Sequence, residues 1–117
     1  MSNAYFEDLS TRLKKFADER DWDQFHAPKN LVMALSVEAA ELTEHFQWLT
    51  EEQSLHLDED KLKDVAYEMA DIYIYLVRLA TKLNVDLPQF VEEKIIINEK
   101  KYPAEKVKGS SKKYTEY

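Results

Sequence analysis

Apolar residues recur at helical spacing in four stretches of this chain, and each stretch predicts an amphipathic helix. The central one runs from Asn30 to Thr50, where Leu31, Leu35, Leu42, Phe46 and Leu49 make one stripe. Before it, Phe6, Leu9, Leu13 and Phe16 predict a helix from about Tyr5 to Glu19, with Ser2 or Asn3 available as its cap. After it, Leu62, Val65, Ala66, Met69, Ile72, Tyr73, Leu76, Leu79, Ala80 and Leu83 give a broad core face to a third helix. That helix starts near Asp58 to Asp60, whose charge suits an N-terminus, and ends near Leu83. Pro88 opens a fourth helix that reaches about Lys101. The segment from Arg20 to Pro28 reads as a loop, because Pro28 keeps Ala27 out of helical geometry. Trp22 and Phe25 within it are expected to cap the core, as aromatic rings usually do. Glu51 to Asp60 reads as a loop with one helical turn at most.

Composition narrows the picture. A length of 117 residues, 44% of them hydrophobic and 33% charged, fits one soluble domain with a single core. One Gly and three Pro favour helices over many short strands and turns. The expected architecture is therefore all-α, a bundle of four main helices spanning 1–103, followed by a mobile Lys-, Ser- and Glu-rich tail over 104–117. The absence of Cys excludes a disulfide framework and thiolate chemistry. No apolar run approaches the length of a membrane span and no signal peptide is visible, so no membrane partner and a cytoplasmic location are expected. A formal net charge of −7 argues against a nucleic-acid polymer as partner. It leaves a nucleotide open, since carboxylates can hold Mg²⁺ and the metal then carries the phosphates.

The chemistry begins at Glu38, which projects into the middle of the leucine stripe, with Glu41 and His45 along its edge. An ionised carboxylate loses hydration there and needs a cation or a proton. Glu68 and Asp71 form a second pair on the third helix, with Asp64 and Tyr75 on the same flank. Residues three apart share a helix face, so each pair can share a metal, and antiparallel packing of the two helices would bring both pairs together. Oxygen-only ligands favour Mg²⁺, Mn²⁺ or Ca²⁺ over zinc. Glu-x-x-Glu is common in helices, and Asp64 and Glu44 read as ordinary solvated acids. A di-iron carboxylate bundle is disfavoured, because His45 follows Glu41 by four positions rather than three. No Gly-rich phosphate loop exists, which excludes a Walker-type NTPase.

Glu38-x-x-Glu41 followed by Glu68-x-x-Asp71 resembles the metal motif of the all-α nucleoside triphosphate pyrophosphatases, the MazG-like superfamily. The segment from Arg20 to Leu31 resembles the entry segment of its dCTP pyrophosphatase branch. So do Glu44-His45-Phe46-Gln47-Trp48, Asp71-Ile72-Tyr73-Ile74-Tyr75-Leu76, Val85-Asp86-Leu87-Pro88 and Lys100-Lys101-Tyr102-Pro103. The likeness covers roughly Leu9 to Pro103. It departs at Ser36 and Ala39-Ala40, where that branch often carries glycines, and at Ile95-Ile96-Ile97, where relatives often place a polar residue.

The resemblance implies a hydrolase that converts a (deoxy)nucleoside triphosphate, dCTP or a modified dCTP foremost, to the monophosphate and pyrophosphate in nucleotide-pool house-cleaning. It implies Mg²⁺, with Mn²⁺ as a substitute, held by Glu38, Glu41, Glu68 and Asp71, which are also the catalytic set. Trp22, His26 and Trp48 would form the base pocket, with Trp48 on the metal-bearing helix. Tyr75, Lys94, Asn98, Lys101 and Tyr102 would contact sugar or phosphates. Relatives assemble as homodimers or homotetramers, and Phe90, Val91, Ile95, Ile96 and Ile97 give the fourth helix more apolar surface than a small monomer needs. Two alternatives stand beside this reading. One is a non-enzymatic helical oligomerisation module whose acids bind structural Mg²⁺ or Ca²⁺. The other keeps the fold and changes the substrate, to another pyrimidine nucleotide or phosphoribosyl-ATP, because stacking tolerates any base.

Overall fold

Asn3 starts the first helix as the sequence anticipates: its side-chain oxygen accepts a hydrogen bond from the Phe6 amide at 3.0 Å. Ser2, the other cap candidate, lies outside residues 3–109, which are those described by this computed structural model. All regular structure among them is helical. Helix α1 (Ala4–Glu19) is followed by a 3-10 turn (Asp23–Phe25) and α2 (Pro28–Glu44), which has Pro28 at its first position. Then come α3 (Glu51–Ser54), α4 (Glu59–Lys82), α5 (Leu87–Lys101) and α6 (Ala104–Val107). None of these helices is long and apolar enough to cross a membrane.

Two helix ends show how a chain with one Gly turns corners. After α1, Asp21 takes φ 55°, and after α4, Asn84 takes φ 54°. In each case the following amide reaches back to close the last turn, Trp22 to Ala17 O at 2.9 Å and Val85 to Ala80 O at 2.9 Å. The left-handed residue itself donates to Asp18 O and Thr81 O respectively. These are Schellman closures with Asp and Asn in the position that glycine usually fills, a substitution their short polar side chains tolerate. The first closure brings Trp22 back over the end of α1.

Helix α2 stops six residues before the predicted Thr50. After Glu44 three-residue bonds appear, with His45 donating to Leu42 O, Phe46 to Thr43 O and Leu49 to Phe46 O, while Gln47 keeps one bond of α-helical span, to Thr43 O. Thr50 explains the stop. It is extended (φ −74°, ψ 164°) and forms a reciprocal capping box with Gln53 that starts α3, the single turn expected in this region. A residue cannot be extended as a cap and helical at the end of α2.

The described residues divide into two units, Asn3–Val85 and 86–109. In the first, α4 packs along α2 and also meets α1, with Ala17, Leu31, Val65, Val77 and Ala80 buried. The broad face expected for α4 is split by this packing. Val65 and Ala80 point inward, whereas Leu62, Met69, Tyr73 and Leu83 are exposed. Trp22 and Phe25 are also exposed, so they do not cap this core. In the second unit, α5 starts at Asp86, whose carboxylate accepts from the Gln89 amide, and Phe90, Val91, Ile95, Ile96 and Ile97 are all exposed. The expected tail forms one helical turn, α6, over Ala104–Val107; residues 110–117 lie outside the described residues.

Candidate functional site

Helices α2 and α4 bring Glu38, Glu41 and Glu68 together, each offering one carboxylate oxygen within 4.8 Å of the others. Glu38 and Glu41 share a face of α2 because they are three apart. Glu68 reaches them from α4, the helix with which α2 shares its main interface. Asp71 is not in this group of three. It lies one turn along α4 and lines the adjoining cavity together with Glu38.

The electrostatics of the cluster favour a proton or a cation among the carboxylates. The Glu68 side chain, within hydrogen-bonding reach, holds the Glu38 carboxyl above its ordinary value, and burial adds to that. The charges of Glu68 and Asp71 push the same way, while a hydrogen bond with Glu41 opposes. Oε2 of Glu68 is buried without a hydrogen-bond partner. A buried anionic oxygen in that state is costly unless a proton or a metal meets it. Three converging carboxylates, one with an orphaned oxygen, fit a hard divalent cation.

Beside the acids lies a cavity of about 440 Å³, within the range of small-molecule sites. Leu13, Phe16 and Ala17 of α1 form one wall, and Trp22 and His26 come from the loop after it. Glu38 of α2 and Asp71, Ile74, Tyr75 and Arg78 of α4 form the rest. The Trp22 ring meets the Phe16 ring edge to face, centroids 5.7 Å apart at 72°, and the Arg20 guanidinium covers Phe16 3.6 Å from its ring centroid. Trp22 is held in this place by the Schellman closure yet remains 44% exposed.

At one wall of the cavity Arg78 is 4% exposed. Its Nη2 donates both to Asp23 Oδ1 at 3.2 Å and to His26 Nδ1 at 3.2 Å, and its Nε is buried without a partner. Lys82, one turn on, also pairs with Asp23. The hydrogen bond from Lys82 and that from Arg78 hold the Asp23 carboxyl below the usual carboxylate range. Burial, then the Arg78 charge, pushes the His26 ring below its ordinary value.

Of the residues singled out from the sequence, Glu38, Glu41 and Glu68 meet, and Trp22, His26, Asp71 and Tyr75 line one cavity with Glu38. Trp48 does not line that cavity; it stands 87% exposed in the turn after α2 rather than on the helix itself. Lys94, Asn98 and Lys101 lie on α5 and Tyr102 at its C-cap, in the second unit. Arg78 escaped the sequence reading. Its signal was the one used for Glu38, a charge inside an apolar run, here Leu76-Val77-Arg78-Leu79-Ala80.

Residues 33–117 match the MazG-like family model. Human dCTP pyrophosphatase 1 is 45% identical over 112 residues, covering 94% of this chain and 66% of its own. The bovine dCTP pyrophosphatase 1 is 43% identical over 117 residues, covering 98% and 69%. The chain thus spans about two thirds of the length of these curated relatives. The crystal structure of a pyrophosphatase from Archaeoglobus fulgidus shares the fold at a TM-score of 0.81 and 36% identity, over 88% of this chain and 96% of that one.

Proposed function

The chain belongs to the MazG-like family, and on that premise we propose that it is a Mg²⁺-dependent nucleoside triphosphate pyrophosphatase acting on dCTP or a modified dCTP. The resemblance read from the sequence agrees with this membership, and the relatives above carry the expected enzyme class in their names. One observation carries the reading: three carboxylates converge beside an aromatic-walled cavity that Glu38 also lines.

Glu38, Glu41 and Glu68, with Asp71 beside them, would hold the ion. A bound Mg²⁺ supplies charge neutralisation at the phosphates and acidifies a coordinated water. The chain's residues do the rest. Trp22 and Phe16 offer a stacking wall for a base. His26 and Tyr75 bring polar groups to the same space. Any general base for the attack on the α-phosphorus would be one of these glutamates. Lys94, Asn98, Lys101 and Tyr102 carry donors suited to phosphate oxygens, and substrate contact is the role proposed for each. Trp48 is proposed as a base contact that a single chain leaves exposed. That exposure, with Leu62, Met69 and Tyr73 of α4 and five apolar residues of α5 also exposed, supports a homodimer or homotetramer.

The test is pyrophosphate release from a panel of dNTPs and NTPs with Mg²⁺, for the wild type and Glu38→Gln. Release strongest with dCTP and lost in the variant is expected. A different preferred nucleotide would overturn the cytosine assignment. No release from a folded, metal-loaded protein would leave a metal-binding module.

A further inference from the structure

We propose that Arg78 is a positioning residue for His26: its Nη2–H hydrogen bond to Nδ1 holds the imidazole in the Nε2–H tautomer, so that His26 meets a ligand in the cavity as a hydrogen-bond donor. A guanidinium has donors and no acceptor, so whichever ring nitrogen faces it must present a lone pair. The neutral ring then carries its proton on the other nitrogen. The geometry leaves Arg78 little freedom. It is 4% exposed, and its Nη2 spends one hydrogen on Asp23 and the other on His26, both at 3.2 Å. Lys82 pairs with the same Asp23, so the loop bearing His26 is fastened to α4 from two adjacent turns. Protonating Nδ1 would set two donors face to face beside a buried cation, which agrees with the depressed basicity of this ring. The charged groups around the ring are Arg78, Asp23 and Lys82, with Glu38 and Asp71 across the same cavity.

An N–H donor selects an acceptor. On a nucleotide base that means a ring carbonyl oxygen or an unprotonated ring nitrogen, and an exocyclic amine is refused at this point. This selectivity rests on the reading of the cavity as a nucleotide site; the tautomer does not.

The first measurement is a long-range ¹H–¹⁵N correlation spectrum of the histidine rings in the ligand-free protein, above the pH where His26 titrates, with His26 assigned from His26→Gln. A lone-pair shift at Nδ1 and an N–H shift at Nε2 are expected, collapsing toward a tautomer mixture in Arg78→Leu. Protonated Nδ1 in the wild type, or an unchanged spectrum in folded Arg78→Leu, would overturn the proposal. If Arg78→Leu does not fold, the wild-type spectrum decides alone. The second measurement compares KM for dCTP in His26→Gln, whose amide N–H falls near Nε2, and His26→Asn, whose amide falls near Nδ1. A KM roughly tenfold higher in Asn than in Gln, with kcat similar, is the size expected for one lost hydrogen bond. Equal losses would overturn the donor role. An Nε2–H spectrum in a protein that hydrolyses no nucleotide would refute the proposed activity and leave the Arg78–His26 coupling standing.

Discussion

Arg78 and Asp23, 55 residues apart in the chain, are joined by a hydrogen-bonded ion pair, Nη2 to Oδ1 at 3.2 Å. One partner is buried and the other half-exposed. Removing the carboxylate leaves a buried cation short of its counter-charge, which costs more than a surface pair would. Asp23→Asn is therefore expected to lower Tm at neutral pH. Asp23 sits below its ordinary value of 3.8 in the folded protein, so its stabilising contribution is complete above that value. It is lost as pH falls through the lower folded value. Thermal melts from pH 7 to pH 3 should show a constant gap between wild type and variant that closes below about pH 4. A gap that persists unchanged into acid would refute this account.

Glu38 carries the opposite sign. Its folded value is raised, so the ionised carboxyl costs stability at neutral pH and the cost fades as pH falls. Without metal, Glu38→Gln should raise Tm. With Mg²⁺ at a hundred times its dissociation constant, the wild type should gain about 2.7 kcal/mol and the variant little. Pyrophosphate release should fall on the order of a hundredfold or more in the variant. Calorimetry with and without Mg²⁺ reads the crossing of the two effects.

The wall formed by Trp22 and Phe16 predicts a binding defect rather than a folding one. Trp22 is half-exposed, so Trp22→Ala should leave the far-ultraviolet circular dichroism intact. Loss of one stacking ring is worth about 1–3 kcal/mol, or roughly five- to 150-fold in KM. Unchanged nucleotide kinetics would remove the base from this cavity.

Asn84 tests the left-handed closure after α4. Its φ of 54° suits Asn or Gly and strains a β-branched side chain. Asn84→Val should destabilise by about 1–2 kcal/mol in urea melts, while Asn84→Gly should be neutral or slightly stabilising.

The exposed stripe of α4 makes the last prediction. Met69→Glu or Tyr73→Glu should shift the species seen by light scattering toward the monomer, because both side chains face outward in one chain. A wild-type monomer would overturn the assembly reading.

Much of the site was legible because an acid among leucines is a strong physical signal, and Glu38 led to Glu41 and Glu68. The same signal at Arg78 passed unnoticed because periodicity weighs apolar residues and discounts the exception. The end of α2 was misplaced because Leu42, Phe46 and Leu49 keep helical spacing through a turn, although Thr50-x-x-Gln53 already spells a helix start. The inward side of α4 was underdetermined. Its apolar positions cover most of the circumference, and only packing against α2 and α1 selects Val65, Val77 and Ala80 over Leu62, Met69 and Tyr73.

Glu68, Asp71, Tyr75, Arg78 and Lys82 follow one another at steps of three and four along α4, a single line on a rigid rod. A helix rises about 1.5 Å per residue, so the carboxylate end of that line stands about 15 Å from the guanidinium end. The helix is thus a ruler, and the interval it measures does not depend on side-chain rotamers. It is also a phase lock. One residue inserted between Asp71 and Tyr75 would turn everything beyond it by about 100° and carry Arg78 and Lys82 away from Asp23, while leaving the acids in place.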